Sequence, residues 1–257
     1  MFYHPAHLVG SSPYPLLVSF HIYFFARSLL MYFKYGSFLY FTKFGIISLL
    51  FVLRLWFKDI CIEGLSGHHN FIVQSGFKTR FLLFLFREAI FFISIFWVFL
   101  DASLSPTVEV GGVWPPYGLA LPNYLGIPLF GTVLLLRRGA SLTWSHAQLL
   151  SNKEATWTLS LTIFLALLFT CLQFYEYRVS ELSIRDGICG SLFYFSTGFH
   201  GLHVILGSIF LFFNLVRMYF IHFSPSHHIG FECSILYWHF VDVIWVLLYI
   251  LVYMWGS

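Results

Sequence analysis

The feature that most restricts this chain is a succession of seven apolar stretches, each about long enough to cross a bilayer. They lie at about residues 15–33, 39–62, 71–104, 127–150, 154–179, 189–221 and 231–254, separated by polar, Gly-containing or Pro-containing segments. A membrane-spanning helix needs about 20 mainly apolar residues. The sequence therefore predicts an all-α polytopic membrane protein, with seven transmembrane helices forming a single membrane domain over residues 1–257.

Composition excludes several other classes of protein. Only 10% of the residues are charged, whereas soluble domains carry about 25%. A net charge of +3 is too small to indicate nucleic-acid binding. The four cysteines stand far apart without a C-x-x-C pair, so neither a zinc nor an iron–sulfur site is predicted. Lys and Arg are distributed too evenly between the two sides for the positive-inside rule to orient the chain.

Glu88 is the first candidate functional residue because it lies about 25 Å into the third predicted helix at 1.5 Å per residue. Its neighbours are the apolar run FLLFLFREAIFFISIFW. One interpretation is a protonatable carboxylate that faces a cleft or cavity, kept partly neutral by desolvation. The alternative is a carboxylate tied to Arg87, to another arginine or to a lipid headgroup.

Histidines form the second candidate set. His200 and His203 are three residues apart in the sixth predicted helix, so they lie near one helix face. Ligation of haem would require imidazoles from two helices, and His203 with His239 is the pair that could supply them. The alternative is a tightly packed bundle with hydrogen-bonded imidazoles. Small residues that would favour such packing flank the histidines: Ser196, Thr197, Gly198, Gly201, Gly207 and Ser208.

Two histidine pairs, His68-His69 and His227-His228, lie in predicted loops. Exposed histidine pairs can bind metal, but neither a carboxylate nor a cysteine completes a recognisable ligand spacing. Interfacial anchoring or contact with a lipid phosphate is favoured instead, and no metal site is predicted.

Four charged residues lie inside predicted spans and need partners: Arg87, Arg137, Arg138 and Asp242. An unpaired charge at mid-bilayer costs about 3 kcal/mol on insertion scales. Asp242 is expected to pair with His239 or with an arginine of another helix. Adjacent helical residues point about 100° apart, so Arg137 and Arg138 cannot share a partner. We expect one of them to face the interior or a cleft and the other to contact an accessory subunit or a lipid headgroup.

Several segments together resemble one known family. They are GHH at 67–69, EAIFFISIFWVF at 88–99, SLSPTVEVGGVWPPYG at 103–118, SLTWSH at 141–146, DGICGSLFYFSTGFHGLHVILGSIFL at 186–211, and HHIGFECSILYWHFVDVIWVLLYILVYMWGS at 227–257. In this order they look like cytochrome c oxidase subunit III, and the resemblance covers the whole chain.

The resemblance implies an architecture and a role. Helices 1 and 2 would splay from helices 3–7 to leave a V-shaped cleft that holds structural phospholipids. The chain would carry no haem, copper or other metal, because haem and copper belong to partner subunits. It would pack on subunit I, assemble with subunit II and accessory subunits, and support proton uptake, assembly and turnover stability. It would lie in the mitochondrial inner membrane, with its N-terminus on the matrix side and its C-terminus on the intermembrane side.

Residue by residue, Glu88 corresponds to the family's carbodiimide-reactive carboxylate in the lipid cleft. His200 and His203 correspond to its histidine-bearing sixth helix, and Trp56, Asp59 and Glu63 to the end of its second helix.

His68 and His69 are further lipid or cleft candidates. The chain departs from the family pattern in three places: Arg87 replaces a small polar residue, Arg137 and Arg138 replace small residues, and the turn at 63–67 is one residue shorter.

Two other classes remain open from composition alone. A haem-bearing b-type or quinol-reactive cytochrome would show a visible spectrum from this chain, and a proton-coupled transporter would act without partner subunits. Neither class explains the ordered motifs.

Overall fold

The structure, a computed structural model, describes residues 10–108 and 111–256. Within these residues the chain forms seven α-helices and a final π-helical turn. In chain order they are α1 (Tyr14–Tyr35), α2 (Leu39–Leu65), α3 (Phe71–Leu104), α4 (Ile127–Leu150), α5 (Thr156–Val179), α6 (Gly187–Tyr219) and α7 (Ile229–Leu248), followed by the π-helical turn Tyr249–Met254.

The all-α prediction is confirmed, and the helices begin and end within three residues of the predicted limits when α7 is taken together with its π-helical turn. By length and composition, five of them are apolar enough to cross a membrane: α1, α3, α5, α6 and α7 with its π-helical turn. This differs from the seven spans predicted. The two others, α2 and α4, are 27 and 24 residues long, so they do not lack length. The difference lies in polarity, since α2 carries five charged residues and α4 carries Arg137 and Arg138.

The chain divides into two compact units, one ending at Gly76 and the other comprising Phe77–Ser257. The first unit contains α1 and α2, which pack against each other as an antiparallel pair. A Cβ atom on Gly45 of α2 would lie 3.3 Å from the Cα atom of Phe25, so the missing side chain permits close approach. The V-shaped cleft predicted beside α1 and α2 stays a prediction.

The second unit has the larger core, formed mainly by α4, α5, α6 and α7. Hydrogen bonds between buried side chains connect its helices in pairs. Ser141 of α4 and Thr162 of α5 have hydroxyl oxygens 2.8 Å apart, and the Trp245 indole of α7 donates to Thr132 of α4 at 3.1 Å. Because lipid supplies no hydrophobic drive between helices, such contacts help to fix their register.

Close packing in α6 occurs at Gly207 and not at the glycines nearest the histidines. A Cβ on Gly207 would lie 2.1 Å from the Trp238 ring of α7, whereas no atom of the described residues lies within 4 Å of a Cβ on Gly198 or Gly201. Those two glycines line a groove with Phe169 and other residues of α5. Within this chain the close packing of α6 therefore falls at Gly207, because the small residues of α6 occupy different helix faces, and close packing of Gly198 and Gly201 against a partner helix stays a prediction.

Candidate functional site

The central feature of the second unit is an ion pair between Arg138 of α4 and Asp242 of α7. The Arg138 Nη2 atom donates to Asp242 Oδ1 at 2.7 Å. The arginine side chain is completely buried, and the aspartate side chain is 18% exposed. Of the two partners expected for Asp242, the structure uses an arginine of another helix. A carboxylate here stabilises a guanidinium that would otherwise be very costly inside a membrane protein.

Aromatic rings complete the environment of Arg138. Its guanidinium carbon lies 4.1 Å from the centroid of the Trp238 ring and 5.9 Å from that of Phe169. A desolvated cation over an aromatic face gains about 2 kcal/mol or more. Arg137, the next residue, is exposed on the other side of α4. The two arginines therefore separate as the helix geometry required, one into the interior and one outward.

Glu88 of α3 contacts two basic groups. Its Oε1 atom accepts a hydrogen bond from Arg87 Nη2 at 3.1 Å, and its Oε2 atom lies 3.3 Å from His203 Nε2 of α6. The Glu88 side chain is 18% exposed, whereas that of Arg87 is 74% exposed. Glu88 thus lies at the edge of the bundle, where α3 packs on α6.

A hydrogen bond to the backbone of α6 determines which nitrogen of the His203 ring carries a proton in the neutral form. The Nδ1–H group of His203 donates to the Phe199 carbonyl at 2.7 Å. In the neutral ring the Nε2 atom then carries a lone pair. A hydrogen bond between this nitrogen and the Glu88 carboxyl group therefore requires a proton on one of the two atoms.

The other α6 histidine, His200, lies deeper in the bundle. It is 1% exposed, and its ring centroid lies 5.1 Å from that of Trp245 and 5.9 Å from that of Phe169. Although His200 and His203 are neighbours along one helix, they have different surroundings: one is enclosed by aromatic rings and the other meets a carboxylate. His239 belongs to α7 and lies one turn before Asp242.

The candidates at the end of α2 belong to the first unit and lie near its surface. Trp56 and Glu63 are partly buried and His68 is exposed. His69 is partly buried, and a Cβ on Gly64 would lie 3.0 Å from its Nδ1 atom. The carbonyl oxygen of His69 accepts from the Gln74 side chain at 2.9 Å. His68 and His69 belong to the turn between α2 and α3, Trp56 and Glu63 belong to α2 itself, and the expected contact of all four with lipid stays a prediction.

Sequence reasoning missed a buried polar group at the far end of α5. Glu176 is 4% exposed and its Oε2 atom lies 3.5 Å from Gln173 Nε2. The same Gln173 nitrogen lies 3.4 Å from the Tyr253 hydroxyl of the π-helical turn. Glu176 also lines a cavity of about 300 Å³. Its position close to a predicted helix end gave no reason to expect burial, so only the three-dimensional packing reveals it.

The structure also corrects the interpretation of His227-His228 as an exposed pair. His228 is 6% exposed, and it lies between His146 of α4 and Glu232 of α7. The four-residue spacing from His228 to Glu232 was visible in the sequence. His146, 82 residues earlier, was not predictable as a neighbour.

Comparison with known proteins places this arrangement in a family. The family model for cytochrome c oxidase subunit III matches residues 4–257. The chain belongs to this family. The resemblance that the sequence motifs indicated is confirmed, and the multi-pass helical membrane fold agrees with it.

Individual relatives of this cytochrome c oxidase subunit III family match over the same length, and each is named cytochrome c oxidase subunit 3. The protein of Rhizopus stolonifer is 47% identical over 257 residues, covering 99% of this chain and 92% of the relative. Those of Prototheca wickerhamii and Osphranter robustus are each 44% identical, covering 99% of this chain and 98% of each relative.

Proposed function

We propose that this chain is the non-redox core subunit III of cytochrome c oxidase, the respiratory complex that reduces oxygen to water with electrons from cytochrome c. The observation that carries the proposal is the match to the family over residues 4–257, with relatives that align along 99% of the chain. The chain would pack on subunit I and assemble with subunit II and accessory subunits. Haem and copper would belong to the partner subunits.

The packing of the second unit supports a role in holding helices in place. Arg138 and Asp242 join α4 to α7 in the interior, where Trp238 and Trp245 are 0% and 1% exposed. The Arg138 guanidinium pairs with Asp242 and lies over the Trp238 ring, and the His200 ring packs against Trp245. Such an interior suits a subunit that stabilises a catalytic partner and supports assembly and turnover stability.

Exposed apolar side chains support membrane contacts on the outside. Along α3, the side chains of Leu83, Phe86, Ile93 and Trp97 are 60–72% exposed. In a bilayer such a face is covered by acyl chains or by partner helices. Glu88 lies on the same helix at the edge of the bundle. We propose that this region borders bound phospholipid, and that the proton shared by Glu88 and His203 supports proton uptake by the complex.

The proposed location is the mitochondrial inner membrane, with the N-terminus on the matrix side. An epitope at each end, tested for protease access in intact mitochondria and in mitoplasts, checks the orientation. Protection of a C-terminal epitope in mitoplasts whose outer membrane is ruptured would contradict it.

The main experiment is isolation of the tagged chain in a mild detergent, followed by mass spectrometry of proteins and lipids. Oxidase subunits I and II should co-purify in equal amounts with the chain, together with phospholipid that resists detergent washing. A matched preparation from the Asp242→Ala strain should lose the partners along with the folded chain. Recovery of the wild-type chain in a complex that contains neither subunit I nor subunit II would refute the proposal.

A further inference from the structure

Three side chains converge at the end of the bundle where α7 begins and α4 ends. His146 belongs to the last turn of α4, His228 immediately precedes α7, and Glu232 lies in the first turn of α7. The Nε2 atoms of the two histidines are 3.3 Å apart, and His228 Nε2 lies 3.3 Å from Glu232 Oε1. All three ligand atoms lie within 4.8 Å of one another.

The hydrogen bonds of His228 determine which of its nitrogens faces this cluster. Its Nδ1–H group donates to the Ser224 carbonyl at 3.0 Å, so in the neutral ring the Nε2 atom carries a lone pair. That lone pair points towards a carboxylate oxygen of Glu232 and also towards His146. Two lone-pair atoms at 3.3 Å repel unless a cation or a proton lies between them. One central cation would satisfy all three groups.

The loop before α7 holds His228 in this orientation. Ser224 and His227 exchange backbone hydrogen bonds of 3.3 and 3.1 Å, which closes a tight turn and fixes the Ser224 carbonyl. The Phe231 ring packs 6.0 Å from the His146 ring. His228 is 6% exposed. A carbonyl that accepts the Nδ1–H of a ligating histidine is the usual support for a metal-bound imidazole.

Two of the three separations between the ligand atoms fit a tetrahedral ion. Zinc binds histidine nitrogen and carboxylate oxygen at about 2.0–2.1 Å. Tetrahedral geometry then separates neighbouring ligand atoms by about 3.3 Å, which matches both short distances in the cluster. Two histidines, one carboxylate and a water form an established zinc ligand set.

Lys78 of α3 is the cationic neighbour that competes with a metal. Its ammonium forms an ion pair with Glu232 Oε2, the oxygen that does not face His228. The lysine side chain is 47% exposed, so it can move into solvent. Its charge lowers the affinity for a divalent cation without occupying the ligand position.

We propose that His146 Nε2, His228 Nε2 and Glu232 Oε1 form a binding site for a divalent transition cation of the zinc class, with water as the fourth ligand. The bound ion joins the end of α4 to the start of α7. Two nitrogen ligands and one oxygen ligand favour zinc-class ions over Mg²⁺ or Ca²⁺, which prefer oxygen ligands alone.

The test uses the complete purified complex that contains the chain, stripped with a chelator and then dialysed against Zn²⁺ at micromolar concentrations. Zinc is counted per chain in the wild type and in His146→Gln, His228→Gln and Glu232→Gln. The difference between samples cancels zinc held by other proteins. We expect each variant to bind one zinc fewer, while His227→Gln, at the neighbouring histidine, binds as the wild type does. Lys78→Gln should bind zinc several-fold more tightly, because a competing positive charge is removed.

Equal zinc content in the wild type and in assembled His146→Gln and His228→Gln complexes would overturn the proposal. So would the same loss in His227→Gln. If a variant fails to assemble, the wild-type complex is measured instead. The difference in zinc-edge X-ray absorption between the stripped and the reloaded complex then identifies the ligands of the added zinc. Two imidazoles in the first shell support the site, whereas a shell of sulfur, or of oxygen alone, contradicts it.

Discussion

Two arginine–carboxylate pairs within the helices of the second unit differ in burial and in the helices that their residues come from. Arg138 and Asp242 come from α4 and α7, and the guanidinium is fully buried under aromatic rings. Arg87 and Glu88 are adjacent on α3, and the arginine is 74% exposed. The first pair joins two helices, whereas the second is local to one helix. The position of a charged residue along a span therefore does not predict how much its ion pair stabilises the fold. That contribution depends on burial and on whether the two partners belong to different helices.

The largest effect is expected from breaking the interior pair. Asp242→Ala leaves the Arg138 guanidinium buried without its carboxylate, which destabilises a protein by about 3–5 kcal/mol. We expect almost complete loss of the assembled complex on blue-native gels. The double variant Arg138→Met, Asp242→Leu removes both charges and should recover much of the assembly, because replacing both partners of a buried pair by apolar residues is often neutral or stabilising.

The control for this pair is Arg137→Met, one residue away and exposed, which should leave the second unit's packing intact. If Asp242→Ala assembles as well as the wild type, the interior pair does not support the fold and the contrast with Arg87–Glu88 disappears.

The next effect concerns the ring that covers Arg138. Gly207→Leu would force a side chain into Trp238, since even a Cβ atom would lie 2.1 Å from that ring. Overpacking typically costs about 1–3 kcal/mol, and displacement of the ring also removes its contact with the guanidinium. We expect a lower temperature of half-dissociation for the complex, measured by light scattering. Gly201→Leu is the matched control and should be tolerated, because in residues 10–108 and 111–256 no atom lies within 4 Å of its Cβ position. Equal damage at both glycines would show that the α6 groove is filled in the complex.

A third test compares the carbodiimide reactivity of the two carboxylates. The Asp242 carboxylate is held by a fully buried guanidinium in the interior of the second unit. Glu88 lies at the edge of the bundle beside an arginine that is 74% exposed, where an apolar carbodiimide dissolved in the bilayer can reach it. Peptide mapping after treatment of the intact complex should show modification at Glu88 and little at Asp242. Modification at Asp242 should appear in assembled Arg138→Met. Equal labelling of both residues in the wild type would contradict this account.

The smallest effect is expected for Arg87→Gln. The arginine is mostly exposed, and exposed ion pairs typically contribute about 0–1 kcal/mol. The substitution loses the stabilising contact with Glu88, but it also removes the cost of placing a charge on an apolar helix face, so the net change in stability is small. The half-dissociation temperature should change little, with Arg87→Lys as the control that keeps the charge. A loss comparable with that of Asp242→Ala would mean that Arg87 has a strong partner outside the chain.

The helices were predictable from sequence because each depends on a local property, a long apolar run bounded by Gly, Pro or polar residues. The opposite orientations of Arg137 and Arg138 followed from the helical rotation of about 100° per residue. The same rule could not say which arginine faces inward. That choice depends on where Trp238 and Asp242 come to lie, and both are about 100 residues further along the chain.

The candidate site was less predictable because its contacts join residues that lie far apart in the chain. Glu88 was recognised because a carboxylate in an apolar run is conspicuous, but its contact with His203 spans 115 residues. The converging groups His146, His228 and Glu232 were missed because two of them belong to a loop and a helix end, where polar residues are ordinary. Close packing at Gly207 was only one of several equivalent possibilities until the position of Trp238 was known.

The separation of Arg138 and Asp242 along the chain has a consequence for biosynthesis. Asp242 follows Arg138 by 104 residues, so at about 5–20 residues per second the ribosome delivers the carboxylate roughly 5–20 s after the guanidinium. During that interval the Arg138 guanidinium lacks the carboxylate with which it pairs in the folded chain. The interior contacts around Arg138 can therefore be completed only after α7 has been made.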